Sequence, residues 1–172
     1  MKSNIARGLT IASLSLFAAT GAFAQESTNR VAANTDWSVF AEGNDCWSVS
    51  LPKQTVNTKN GSPVSVNRGD ILLFVTYRKG SNAGEVSFTG GYPFANGSKV
   101  TLQVGATSFD LFTENDWAWS AGPEADAQII ASMKKGASAS LVGRSSRGTR
   151  TEDTFSLLGF TASVDDADKR CK

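Results

Sequence analysis

The sequence has no histidine among its 172 residues. That absence removes the commonest general base and the usual activator of serine and cysteine nucleophiles. Cysteine is scarce as well. Cys46 and Cys171 are the only two, and without histidine they cannot complete a zinc shell. Charge of neither sign is in excess: 17 Lys and Arg stand against 16 Asp and Glu, which gives no electrostatic case for nucleic-acid binding. Beyond the first residues there is no long apolar run, so the rest of the chain offers no transmembrane helix. No cofactor is indicated.

What is present begins with an export pattern. Lys2 and Arg7 form a short basic region, an apolar run extends from Leu9 to Ala19, and Ala22-Phe23-Ala24 places small residues where a signal peptidase requires them. The parts stand in the order of a secretory signal, with cleavage expected after Ala24. The apolar run falls short of the roughly 20 residues that span a bilayer, and no cysteine stands at the cleavage point to carry a lipid. Removing residues 1–24 leaves 148 residues, with 15 basic against 16 acidic side chains. That length suits one domain. The expected location is the periplasm, with secretion or surface display left open. Two cysteines in an exported chain suggest a Cys46–Cys171 disulfide, because the compartment is oxidising. Two separate buried thiols are the alternative.

Residues 25–35 are polar and aperiodic, and read as a flexible lead-in to a β domain over 36–172. From Trp37 onward, short alternations are separated by turn residues. Trp37 and Val39 share one strand face. Trp47, Val49 and Leu51 share another, with Ser48 and Ser50 opposite and Cys46 on the serine side. The alternation places Trp37 and Trp47 in the core. Asn60-Gly61 is a hairpin signal. The run from Asp70 to Arg78 is apolar on both faces and reads as a central strand covered on both sides. Val100, Leu102 and Val104 make a period-two strand. A helix is expected from Pro123, with an apolar face of Ile129, Ile130 and Met133 and a left-handed stop at Gly136. A second helix aligns Phe160, Val164, Ala167 and Cys171 on one stripe, which turns Cys171 toward the domain and Cys46. Eight to nine strands and two short helices predict a mainly β fold, an antiparallel, immunoglobulin-like two-sheet β-sandwich.

Several segments together resemble the invasion-associated locus B family of exported bacterial proteins, found mainly among alphaproteobacteria. They are Trp37-Ser38-Val39-Phe40, Cys46 with Pro52-Lys53, Arg68-Gly69-Asp70, Gly91-Tyr92-Pro93-Phe94, Asp110-Leu111-Phe112 and Met133-Lys134-Lys135-Gly136. The most specific are Ser146-Arg147-Gly148-Thr149, Asp153-Thr154-Phe155-Ser156-Leu157 and Gly159-Phe160. The resemblance covers about residues 36 to 171. It implies a β-sandwich-like domain in the periplasm or at the cell surface, and carries over no catalytic residue. The family name reflects a link with host-cell invasion in a pathogen and does not by itself assign that role here.

Three groups of residues are candidate sites. Arg144, Ser146, Arg147 and Arg150 lie in one connection, where guanidinium forks and turn N–H groups suit an anion or a partner. A solvated hairpin pairing with Glu152 and Asp153 is the plainer reading. Tyr92, Phe94, Trp117 and Trp119 flank loops and form a candidate aromatic surface. Glu114 with Asp116, and Glu152 with Asp153, are the carboxylate pairs an acid–base enzyme would need, but Glu152 and Asp153 are strand neighbours that point to opposite faces, and acidic residues near turns are usually solvated. Arg68-Gly69-Asp70 spells an integrin-recognition tripeptide, yet it leads straight into the central strand rather than capping a loop. The leading expectation is a non-enzymatic envelope binding or interaction protein whose partner and oligomeric state are unassigned. A structural or stress-related periplasmic protein without a dedicated ligand is the alternative, and a carboxylate-based envelope hydrolase the outsider.

Overall fold

The computed structural model describes residues 29–172. The expected signal peptide and its cleavage point lie outside the described residues. In chain order the strands are β1 (Arg30–Asn34), β2 (Trp37–Glu42), β3 (Asp45–Ser50), β4 (Gln54–Lys59), β5 (Ser62–Pro63), β6 (Leu72–Arg78), β7 (Glu85–Thr89), β8 (Lys99–Val104), β9 (Thr107–Glu114) and β10 (Trp117–Trp119). Helix α1 (Pro123–Met133) precedes β11 (Ser138–Arg144) and β12 (Arg150–Ser156), and α2 (Phe160–Arg170) closes the chain. All twelve strands belong to one sheet in the order β1-β2-β3-β6-β7-β10-β9-β8-β11-β12-β4-β5. Every neighbouring pair is antiparallel.

The mainly β, antiparallel expectation with two helices holds, but two separate sheets are not found. The hydrogen-bond ladder runs unbroken from β7 through β10 to β9, so the strands stay in one sheet instead of splitting into two. An open sheet of this width curls on itself. Its two halves then enclose one core: Phe88 of β7 meets Phe155 of β12 edge to face at 6.2 Å. Trp37 Nε1 at the start of β2 donates to the Ser156 carbonyl at 2.8 Å. Buried Leu73, Val75, Val100, Leu102, Leu111 and Leu141 fill the space between.

The lead-in expected over 25–35 is corrected for part of its length. Arg30–Asn34 pairs with β2 as an edge strand, and Ala32 packs on the core. Asn60 and Gly61 both take positive φ, 50° and 81°, as a tight hairpin turn needs. In α1, Ile129 and Met133 are buried and Ile130 is half-buried. Gly136 is not left-handed, contrary to expectation. A Cβ there would run into Val104 Cγ1 and come within 3.0 Å of Leu157 Cδ1, so close packing selects glycine. In α2 the stripe Phe160, Val164, Ala167 and Cys171 is buried as expected, and Cys171 is bonded to Cys46 with the Cα atoms 5.9 Å apart.

One strand faces opposite to the sequence reading. In β3 the buried side chains are Cys46, Ser48 and Ser50, while Trp47 and Val49 are only half-buried and Leu51 beyond them is 67% exposed. Helix α2 causes the reversal. It lies against β2 and β3, is fastened there by the disulfide, and Ser48 Oγ donates to Ser163 Oγ at 2.7 Å. Small side chains let the helix approach the strand, so the serine side becomes the inside.

Candidate binding face

Turning β3 over places its large apolar side chains on the outer face of the sheet, where cross-strand register lines them up with others. Phe40 of β2 sits opposite Trp47, and Val49 opposite Phe74 of β6. The row continues from Phe74 to Ser87 of β7, to Trp119 of β10 and to Phe112 of β9. One apolar band therefore crosses six strands. Ser87 and Thr89 lie on this outer side yet are only 5% and 7% exposed. The large rings beside them close over β7: Phe74 meets Trp117 with centroids 5.5 Å apart. Trp117 and Trp119 stack at 6.2 Å, and Trp119 stacks on Phe112 at 5.7 Å. Phe112 remains 52% exposed. Hollows of about 360 Å³ beside Phe40 and Trp47, and about 420 Å³ beside Phe74 and Trp117, indent the band.

The charges at its margin are unevenly engaged. Arg78 pairs with Glu85 at 3.1 Å and reaches Asp45 at 3.6 Å. Lys99 pairs with Asp110 at 2.9 Å. Among the described residues, Asp70, Glu114 and Asp116 are exposed and have no ion-pair partner. Asp70 and Asp116 border the hollow floored by Phe74 and Trp117. Glu114 borders a second hollow with Phe112 and Trp119.

Of the expected aromatic surface, Trp117 and Trp119 lie on this face. Phe94 does not: it is 4% exposed and packs between Phe88 and Tyr92, because the 93–95 segment is bonded to both Asn115 and the β11 end. Tyr92 is engaged elsewhere. Its ring lies under the Arg68 guanidinium at 5.0 Å, and its hydroxyl bonds Thr151 Oγ1 at 2.5 Å. Burial pushes the Tyr92 phenol up from the ordinary tyrosine range. Trp47, expected in the core, belongs to the face, together with Phe40, Phe74 and Phe112, which the sequence reading did not select.

The arginine connection is divided by the fold. Ser146 N donates to the Pro93 carbonyl, and Ser145 N to the Thr149 carbonyl, both at 2.8 Å, so the loop is held in place. Arg147 and Ser146 line a cleft of about 560 Å³ with Arg68 and Tyr92. Arg144 and Arg150 instead face each other across the β11–β12 ladder outside that cleft, and Arg150 is neutralised by Glu152 at 3.0 Å. Ser146 and Arg147 thus open on one cleft, while Arg144 and Arg150 share a cross-strand position. Glu152 and Asp153 point apart as expected: Asp153 is fully buried and takes a two-pronged bond from Arg68 at 2.8 and 2.6 Å. Burial pushes the Asp153 carboxyl up, and the Arg68 fork pulls against that rise. This ion pair removes Arg68 from any exposed tripeptide. Asp126 is buried in α1, where its Oδ1 accepts from Val86 N at 2.8 Å and Ser120 Oγ at 2.6 Å. Burial raises its pKa also.

The family model described as Invasion associated locus B (IalB) protein matches residues 37–168. The chain belongs to the IalB family. No curated protein and no solved structure matches the chain. The match begins at Trp37 of β2 and ends at Asp168 of α2, so the IalB region includes every strand of the apolar band. No helix among the described residues is long and apolar enough to cross a membrane.

Proposed function

We propose that this IalB protein is an exported, non-enzymatic binding module of the bacterial envelope, and that the outer sheet face is its binding surface. The observation that carries the reading is the orientation of β3. Serines occupy the inside of the strand while Trp47, Val49 and Leu51 face outward, in register with an aromatic band. Large apolar side chains gathered on an outer face mark an interaction site, and local rules of inside and outside are broken chiefly where function demands it. Export is supported by the signal-like first residues and by the Cys46–Cys171 bond, which persists in oxidising compartments. The non-enzymatic reading is supported by the lack of histidine and by the engagement of the buried carboxylate Asp153 with Arg68.

The test is crosslinking in intact cells, with the mature protein as bait. The variants are Trp47→Ser/Phe112→Ser on the face and Arg144→Glu/Arg147→Glu on the connection. The reading expects a partner captured by the parent and by the arginine variant, and lost from the face variant while it stays folded. Loss in the arginine variant alone would move the site to the β11–β12 connection. No specific partner for any of them would favour a structural or stress-related envelope role.

A further inference from the structure

The charges around the apolar band identify the chemistry of its occupant. Building on the binding-face reading, we infer that the band receives a basic polypeptide segment whose apolar side chains enter the hollows while its lysines or arginines meet Asp70, Glu114 and Asp116. Three features of the face converge on this. The apolar floor is aromatic: Phe74 and Trp117 lie beneath one hollow, Phe112 and Trp119 beside another, and indole and phenyl faces attract cations. The carboxylates unpaired among the described residues stand at the edges of those same hollows. The cations Arg78 and Lys99 are already held by Glu85, Asp45 and Asp110. Around the Phe74–Trp117 and Phe112–Trp119 hollows the margin therefore presents uncompensated negative charge beside apolar surface.

That combination separates this occupant from the others the face could take. An anionic lipid surface would meet like charge at Asp70, Glu114 and Asp116. A second copy docked face to face through a twofold axis would set this carboxylate edge against another part of the same face, where the cations Arg78 and Lys99 are already paired. A neutral glycan would make use of the rings but leave the carboxylates without a role. A basic amphipathic segment satisfies both parts, and complementary charge of this kind sets selectivity and capture rate more than raw affinity.

The experiment uses the mature protein and its own tryptophans, since Trp47, Trp117 and Trp119 all lie on the face and Trp37 is buried. The probes are a synthetic peptide alternating lysine with phenylalanine, the same peptide with glutamate for lysine, and phosphatidylglycerol vesicles. Self-association is followed by sedimentation. The inference expects the lysine peptide to shift the tryptophan emission and to bind at least tenfold more tightly than the glutamate peptide. It expects weaker binding as salt rises. In Asp70→Asn/Glu114→Gln/Asp116→Asn, whose changes are all at exposed positions, affinity for the lysine peptide should fall about tenfold, as three exposed charge pairs would supply. Equal affinity for the two peptides, or an unchanged affinity in the triple variant, overturns the charge assignment while leaving an apolar binding face in place. Preference for the vesicles, or self-association that exceeds peptide binding, replaces the occupant. If no probe perturbs the tryptophans and the in-cell capture is also empty, the binding-face reading fails together with this one.

Discussion

Replacing Asp153 by asparagine leaves the shape of the side chain and removes its charge, and the structure gives the consequence. The Arg68 and Asp153 side chains are 6% and 0% exposed, so the guanidinium is left largely out of water when its partner is lost. Its Nε is held by the Gly90 carbonyl at 2.8 Å and its plane lies over Tyr92. Breaking a buried ion pair on one side costs about 3–5 kcal/mol, because an uncompensated charge remains inside. With a urea slope of about 2 kcal/mol per molar for a domain of this size, Asp153→Asn should lower the unfolding midpoint by about 2 M. Removing both charges is a different perturbation. Arg68→Met with Asp153→Leu takes away the desolvation cost along with the attraction, so the double variant should recover most of the loss. Urea unfolding followed by circular dichroism measures both. A loss below about 1 kcal/mol for Asp153→Asn would mean that the guanidinium reaches solvent, and would refute the reasoning. A double variant no more stable than the single would show that the pair is needed to organise Gly90 and Tyr92.

Three further outcomes follow from the fold. Cys46→Ser with Cys171→Ser releases a crosslink spanning 125 residues and should cost about 5 kcal/mol in the chain-entropy account; thermal unfolding measures it, and a negligible change would mean that α2 is held by Phe160, Val164 and Ser163 alone. Gly136→Ala forces a methyl against Val104 and Leu157 and should cost about 1–3 kcal/mol as overpacking, read by the same unfolding curves. Burial, with the charges of Asp168 and Asp165, pushes the Tyr77 phenol from 10.0 up to about 12. The neutral form is favoured in the folded state, so the stability it contributes is complete below about pH 10 and is lost as pH rises toward 12, at most about 1.4 kcal/mol per pH unit. Spectrophotometric titration should find Tyr77 un-ionised at pH 10 in the folded protein and about half-ionised there once urea unfolds it.

What could be read from the sequence was what depends on period and local chemistry. The clean alternation of Val100, Leu102 and Val104, the four-three-four spacing from Phe160 to Cys171, and the Asn60-Gly61 turn each specify their own local geometry, and all three appear as expected. The fourth residue of that helical stripe also gave the disulfide its direction. The face of β3 was not legible. Alternation says that Trp47 and Ser48 point apart, but which side is inside depends on where α2 docks, 115 residues away along the Ser48–Ser163 bond. The same limit hid the continuity of the sheet. Side-chain pattern signals that apolar surface must be covered, and two sheets or one curled sheet satisfy it equally; the ladders of Trp117–Trp119 with both neighbours decide it. Phe94 is expected at the surface because it flanks a loop, whereas its backbone is drawn inward by the carbonyls of Asn115 and Arg144, which bind the N–H groups of Phe94 and Ala95. The aromatic band was therefore visible only in part: Trp117 and Trp119 stood out as a spaced pair, but Phe40, Trp47, Phe74 and Phe112 join them only through tertiary register.

The central claim is that the outer face, where half-buried Trp47 and Trp119 accompany exposed Phe112, is where this protein meets its partner. The most direct measurement places a photo-crosslinking amino acid at Phe112, which is 52% exposed on the band, and in a second strain at exposed Lys169 on α2, followed by irradiation of intact cells. The account predicts a discrete crosslinked species from position 112 and none from position 169. Equal labelling from both positions, or a discrete species from 169 alone, would contradict it.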